Sequence, residues 1–395
     1  MKLACVVQRY GLDVVGGSES HCRSIAERLA VNHDVTVLTS CAADYLSWKN
    51  TYPPGASVVG RVRVLRFPVD RPRDTSHFAE LNNIVAGGRA TADDEAAWFL
   101  ENGPQVPALL EYLRAHGQEY DRILFWTYRY YPSYFGVPLV RDRAVLVPTA
   151  EEDPVVWLRS LAEFFTLPRG YVFLTPEEAE LVRGRASGPL PPSCVIGTGL
   201  ENPDVVAGFS RPNPSGPPKG GHHVLPNGPF VLYLGRVDPN KGCETLLRYF
   251  QEFLDRGGTQ LKLVLAGPVF MPIPSHPSIV SLGFVDEQTR AQLLDAAVAL
   301  VVPSPYESLC IALLEGWNHS LPALVNGRCR VLKGQVLRAN GGLFYHNVTE
   351  FVTALRDLVD QPELSRQIGR QGREYVDQHY RWPTVMQTLE TFLAG

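Results

Sequence analysis

Leu300-Val301-Val302-Pro303-Ser304-Pro305-Tyr306-Glu307-Ser308-Leu309-Cys310-Ile311-Ala312-Leu313-Leu314-Glu315 is the stretch from which the fold can be read. An apolar run from Ala296 to Val302 stops at two prolines, after which Leu309, Ile311, Leu313 and Leu314 take up the spacing of a short helix. Proline is disfavoured inside strands and helices alike, so Pro303 and Pro305 mark a loop between two elements. Strand, loop and helix N-terminus, in that order, form the junction at which α/β proteins bind anions through free amides and the helix dipole. Two carboxylates flank it, Glu307 at the mouth and Glu315 further along. On one helix they would stand roughly 12 Å apart at about 1.5 Å per residue. That reach suits an extended ligand with a diphosphate at the helix tip.

Upstream, Phe230-Val231-Leu232-Tyr233-Leu234 reads as a strand and runs into Gly235-Arg236-Val237-Asp238-Pro239-Asn240-Lys241-Gly242. Leu246, Leu247 and Phe250 supply the helix that follows. Two cations on a glycine-punctuated strand-to-helix turn are what a diphosphate needs, arginine giving a planar fork and lysine a mobile point charge. A solvated turn is the plain alternative, and Gly235 and Gly242 bracketing the pair weigh against it. Lys262 to Gly267, Ile279 to Phe284, Pro322 to Asn326 and Gly342 to Tyr345 read as further strands, with a helix at about 287–296. This alternation predicts a doubly wound domain. Ser365 to Leu393 reads as helical with a break at Trp382-Pro383. Before it all, prolines crowd the segment from Asn202 to Pro229, a composition that marks an interdomain segment or surface loop.

The first half shows the same alternation. Leu3 to Val7 is a strand, Gly16-Gly17-Ser18-Glu19 a loop, Ser20 to Ala30 a helix and Asp34 to Thr39 the next strand, completing a βαβ unit. The glycine pair lets backbone approach a phosphate or sugar, although a plain connecting turn explains it as well. Arg61, Arg63 and Arg66 alternate with apolar residues and are expected on the outer face of a strand; an anionic acceptor or a membrane surface is the sharper reading. Residues 92–101 and 105–117 read as helices split at Gly103-Pro104. After the strand Arg122 to Trp126 come Tyr128, Tyr130, Tyr131, Tyr134 and Phe135, rings suited equally to sugar faces and to core packing. Ala144 to Val147 is followed by Pro148-Thr149-Ala150-Glu151-Glu152-Asp153-Pro154, whose acids could hold a divalent metal but more commonly begin a helix. Tyr171 to Leu174 is a strand, and Thr175-Pro176-Glu177-Glu178 carries a capping-box signature.

The 395 residues suffice for two domain cores, and 45% hydrophobic with 20% charged content is that of a soluble globular protein. A net charge of -4 gives no case for nucleic acid as partner. Seven scattered cysteines with no CxxC pair point to free thiols in a reducing compartment, hence a cytoplasmic location. The opening Met1 to Val7 is too short for a signal peptide, and no apolar run approaches a spanning helix; peripheral membrane contact stays open.

The turn Gly235 to Gly242, then Gly283-Phe284-Val285, then Glu307 with Glu315, in a chain opening on a Gly-Gly loop, resembles the retaining GT-B glycosyltransferases of family four over nearly its full length. Glu-x7-Glu alone is loose; its order after the GRxxxxKG turn is specific. Asn326-Gly327-Arg328-Cys329 through Gly334-Gln335 to Asn340-Gly341-Gly342 looks like a bacterial branch of that family. The resemblance implies two Rossmann-like α/β domains facing across a cleft: 1–202 on the acceptor side, 203–228 a linker, 229–378 holding a nucleoside-diphosphate sugar, and 379–395 a terminal helix crossing back. It implies Arg236 and Lys241 on the donor diphosphate, Glu307 on the transferred sugar and Glu315 on the ribose. The amides of Ser308 and Leu309 would complete the phosphate site, Gly16 and Gly17 would lie opposite, and Phe284 near the base. It implies no cofactor beyond the donor, no tightly bound metal, and a hydroxyl acceptor that is a saccharide, a lipid-linked glycan or a metabolite. One departure stands out: where the family carries a histidine near the donor sugar, Glu151 stands here. A carboxylate there would accept hydrogen bonds from hydroxyls or repel an anionic sugar. Two rival readings are a sugar-nucleotide binder that has lost catalysis, which Glu151 favours, and a nucleotide-sugar epimerase on the same plan. Nicotinamide chemistry lacks its GxGxxG fingerprint.

Overall fold

The computed structural model describes every residue except 15, 204–224 and 259. The chain divides into two compact units, Met1–Thr198 with Val385–Gly395, and Gly199–Thr384. The division falls at 198/199, and most of the proline-rich stretch read as a linker (203–228) lies outside the described residues.

The first unit holds an eight-stranded sheet: β1 (Lys2–Val6), β2 (Asp34–Ser40), β3 (Gly55–Val59), β4 (Val62–Phe67), β5 (Arg122–Trp126), β6 (Ala144–Val147), β7 (Gly170–Phe173) and β8 (Ser193–Val195). Their spatial order is β3-β4-β2-β1-β5-β6-β7-β8. Every pairing is parallel except β3 with β4, so the parallel set reverses its chain order between β1 and β5. The inner strands are apolar and buried along nearly their whole length, as they must be when helices cover both faces. Helices α1 (Gly17–Leu29), α2 (Thr75–Ala86), α3 (Ala92–Asn102), α4 (Pro107–His116), α5 (Tyr131–Gly136), α6 (Ser160–Phe164) and α7 (Pro176–Arg185) complete the layers.

Three sequence readings change here. Arg66 is not on a solvated face: Arg63 is exposed, but Arg66, three residues on and therefore of opposite parity, is buried, donates to the Tyr10 carbonyl at 2.9 Å and lies over the Tyr52 ring. The aromatic cluster after β5 packs inward: Tyr128 and Tyr131 are buried, and Tyr134 stacks on Phe99 with centroids 3.6 Å apart. Strand β3 and helix α2 were not expected. The first is a short edge strand with little buried surface, and the second buries only Leu81 and Val85, so neither shows strong periodicity.

In the second unit six parallel strands, β9 (Phe230–Leu234), β10 (Lys262–Ala266), β11 (Ile279–Gly283), β12 (Ala299–Val302), β13 (Ala323–Asn326) and β14 (Gly342–Tyr345), take the order β11-β10-β9-β12-β13-β14. Counted along the chain that is 3-2-1-4-5-6, the doubly wound order, with its switch point between β9 and β12. Helices α8 (Cys243–Asp255), α9 (Glu287–Ala296), α10 (Ile311–Asn318), α11 (Arg330–Ala339), α12 (Val348–Asp360) and α13 (Pro362–His379) surround it. The last helix, α14 (Trp382–Ala394), is counted with the first unit from Val385 onward, where Phe392 lies against Gly170. Among the described residues no helix is long and apolar enough to cross a membrane, and all seven cysteines are free thiols.

Candidate functional site

In doubly wound sheets ligands settle outside the carboxyl ends of the strands at the switch point. In the second unit that place is built from the loop after β9, residues 235–242, and the loop after β12, residues 303–310. The two are in contact at their roots. Gly242 has φ 75°, and a β-carbon there would stand 2.4 Å from the Pro303 carbonyl oxygen, so only glycine lets the loops meet. Asp238 caps the turn, accepting from the Asn240 and Lys241 amides at 2.8 and 3.2 Å. Lys241 is thereby presented to Glu307, with Nζ 2.7 Å from Oε1. Arg236, 41% exposed along its side chain, has Asp238 at 3.7 Å, beyond hydrogen-bond length. The buried Tyr233 donates its hydroxyl to the Arg236 carbonyl at 2.6 Å and fixes the start of the turn.

The loop after β12 differs from its sequence reading. The helix begins at Ile311, with Cys310 as its N-cap in the left-handed region (φ 65°, ψ 79°). Glu307, Ser308 and Leu309 therefore precede the helix, and the 12 Å estimate along a common axis does not apply to Glu307 and Glu315. Glu315 lies on α10 and accepts from Arg290 of α9. Burial pushes its carboxyl above the ordinary range, with Arg290 opposing the shift. Arg290 was not singled out in the sequence, because nothing in the spacing of 290 and 315 announces that α9 and α10 meet there. Phe284, directly after β11, is half exposed. Arg236, Lys241, Glu307, Ser308 and Leu309 thus share the switch point, while Glu315 and Phe284 belong to the neighbouring α9–α10 side.

In the first unit the loop after β1 and the start of α1 form a buried polar network. Gln8 Nε2 donates to Ser18 Oγ at 3.2 Å, Ser18 Oγ to Glu19 Oε2 at 2.8 Å, and Arg9 Nε to Glu19 Oε1 at 2.9 Å. Gly16 is a product of this packing: a β-carbon there would be 2.2 Å from Glu19 Oε2. Gly17 is different, since a β-carbon would meet nothing within 4 Å. His21 is neutral, accepting at Nδ1 from Trp126 Nε1 (3.0 Å) with Nε2 at 2.9 Å from the Gly197 carbonyl, and burial pushes its pKa down to about 4.

The acids after β6 separate. Asp153 caps a 3₁₀ turn at Pro154–Trp157 and pairs with Arg129 at 2.8 Å. Glu151 is half-buried in the loop. Among the described residues no group of three histidines, cysteines or carboxylates is placed to hold a metal ion. Glu178, fully buried, caps β-strand ends rather than only its own helix: its carboxylate accepts from the Ala150 and Leu174 amides, each at 2.6 Å. Burial pushes it up to about 8, the amide hydrogen bonds opposing. Thr127 and Thr149, at the ends of β5 and β6, both hold left-handed backbone (φ 56° and 47°), uncommon for β-branched residues.

Residues 222–375 match the family model for glycosyl transferases group 1. The chain is 31% identical over 119 residues to an uncharacterized glycosyltransferase of Methanocaldococcus jannaschii, covering 27% of this chain and 30% of that one. It is 26% identical over 286 residues to D-inositol 3-phosphate glycosyltransferase 2 of Catenulispora acidiphila, covering 65% of each. The chain thus spans about a third of the first relative's length and under two thirds of the second's. Among solved structures it resembles the UDP-forming α,α-trehalose-phosphate synthase of Burkholderia xenovorans in complex with glucose-6-phosphate. The TM-score is 0.71 at 12% identity, and the match covers 100% of both chains. At that identity the likeness is one of fold.

Proposed function

We propose that this chain, of GT-B fold and with a second unit matching the group 1 glycosyl transferases, is a retaining glycosyltransferase. It would move a sugar from a nucleoside-diphosphate sugar to a hydroxyl acceptor. The observation that carries the reading is the meeting of Lys241 and Glu307 at the switch point, with Arg236 beside them on the same turn. Arg236 and Lys241 would take the diphosphate, so that Lys241 exchanges its hold on Glu307 for phosphate oxygen when donor binds. Glu307, released from that pair, would accept hydrogen bonds from sugar hydroxyls. Glu315 would accept from the ribose, and Phe284 would lie by the base. As the C1–O bond breaks, its electron pair moves onto the diphosphate, and preorganised cations and amides stabilise the growing charge. The acceptor hydroxyl then bonds to C1 from the same face and gives up its proton to the departing diphosphate. No cofactor other than the donor is invoked.

The test is turnover with UDP-, GDP- and ADP-sugars, UDP-sugars first because a fold neighbour is UDP-forming. Release of nucleoside diphosphate that depends on acceptor supports transfer. Binding of the nucleotide with no release from any sugar would instead favour the degenerate binder, the reading to which Glu151 lends weight. Conversion of the donor sugar with no acceptor would mark an epimerase.

A further inference from the structure

We propose that Gln335 is a positioning residue for the anion-binding end of α10, acting through the Leu309–Cys310 peptide. The inference rests on the donor-site reading above. Gln335 lies on α11 with no exposed surface, and its Nε2 donates to the Leu309 carbonyl. Among the described residues its Oε1 has no hydrogen-bond partner. Burying an unmet amide oxygen is unfavourable, and a leucine or methionine would fill the same space without that cost. The amide's observed hydrogen bond is thus the one its N–H makes.

What it does follows from peptide geometry. A trans peptide points its carbonyl and its N–H in opposite directions. With the Leu309 carbonyl drawn onto α11, the Cys310 N–H faces away from α11. Cys310 is left-handed, and the residues of α10 that follow are right-handed. Successive residues of alternating hand turn their N–H groups toward one concave side, the arrangement that cradles anions. The N–H groups of Cys310, Ile311 and Ala312 form that concavity, one to three residues beyond the Ser308 and Leu309 amides expected from the sequence. A second amide side chain ties the other end of the loop, Asn326 Nδ2 donating to the Pro303 carbonyl at 3.1 Å. Between the two anchors Lys241 holds Glu307. Without Gln335 the Leu309 carbonyl is free to rotate, Cys310 relaxes out of the left-handed region, and the N–H groups no longer converge.

The test is calorimetric titration of UDP, GDP and ADP, and of the corresponding monophosphates, into the parent protein and Gln335→Leu, Gln335→Met, Gln335→Glu and Arg236→Ala variants. Loss of one bond to a preorganised group is expected to weaken the best-bound diphosphate roughly 10- to 100-fold in the Leu and Met variants. The loss for its monophosphate is expected to be smaller. The Glu variant separates positioning from mere packing. Ionised at pH 8.5 it cannot donate to Leu309; protonated at pH 6, where burial favours the neutral acid, it can. Its affinity relative to the parent at the same pH should recover to within about threefold at pH 6. If the Leu and Met variants bind like the parent while Arg236→Ala does not, the inference is overturned and the donor site stands. A Glu variant equally weak at both pH values also overturns it. If the parent binds none of the three diphosphates, the donor-site reading falls and takes this one with it.

Discussion

Arg236→Ala separates the catalytic reading from a structural one, because the two predict effects of different size on different observables. The side chain is 41% exposed and its carboxylate neighbour, Asp238, stands at 3.7 Å. An exposed pair at that distance is worth under about 1 kcal/mol, and less in salt. In a unit of this size, losing that pair alone is a melting shift of no more than about 4 °C. If the guanidinium instead meets charge growing on the departing diphosphate, its removal resembles loss of one preorganised donor, about 2.7–4 kcal/mol, or roughly 10²–10³ in kcat. Lys241→Ala should be equally inactive but less stable, since it strands Glu307, whose side chain is only 13% exposed, without its partner at 2.7 Å. The assay is single-turnover release of nucleoside diphosphate at saturating donor, read beside thermal melts of both variants. An Arg236→Ala protein that turns over within threefold of the parent would refute the assignment, whatever its melting temperature.

Gly16→Ala and Gly17→Ala should part company: the first drives a β-carbon into the Glu19 carboxylate that Arg9 holds and should cost about 2 kcal/mol or more in a urea melt. The second meets nothing and replaces glycine with a better helix former, so its stability should match or exceed the parent's; activity lost from it alone would report close approach of a ligand. Glu178 predicts a pH dependence of stability. Pushed up to about 8 when folded, it keeps a proton that the unfolded chain releases near its ordinary value, so its contribution falls as pH rises from about 4.5 to 8, by up to about 1.4 kcal/mol per pH unit. Glu178→Gln should flatten the pH profile of chemical denaturation over that window, and an unchanged slope would show the residue does not titrate there. His21 acts in the opposite sense: held to about 4, it makes the fold lose stability as pH falls from about 6.5 toward 4, a trend His21→Phe should remove from acid-side melts.

Much of the architecture was legible because buried parallel strands announce themselves as short runs of β-branched and aliphatic residues. Both units' inner strands fall where those runs lie, within a residue or two at the ends. Elements with little to bury, β3 and α2, carried no such signal. The turn from Gly235 to Gly242 could be read as a cationic approach to a ligand, since its residues are contiguous. The partners of its charges could not. Lys241 to Glu307 spans 66 residues, and Arg290 to Glu315 joins two helices whose contact is a tertiary fact. The start of α10 was misplaced because two prolines announce that a loop begins but not where it ends. Cys310, left-handed without being glycine, gives no warning in the sequence.

The two units share a switch-point plan, yet their chemistry there differs, and the difference supports the proposed donor side. At the end of β1 the charged pair Arg9–Glu19 is buried, its side chains 7% and 6% exposed, with Ser18 Oγ donating to Glu19 and Gln8 Nε2 to Ser18. A polyanion arriving there would have to displace a buried carboxylate from the arginine it pairs with, at a cost of several kcal/mol. At the end of β9 the corresponding charges are Arg236 and Lys241, whose side chains are 41% and 26% exposed. Lys241's partner at 2.7 Å, Glu307, sits on the adjoining loop. On the proposed reading, exchanging that partner for a phosphate would keep the lysine paired and leave Glu307 to hydroxyl donors, which a sugar supplies in number. The same fold thus offers a neutralised, position-holding loop in the first unit and an exchangeable ion pair in the second. That contrast supports the proposal of a diphosphate in the second unit.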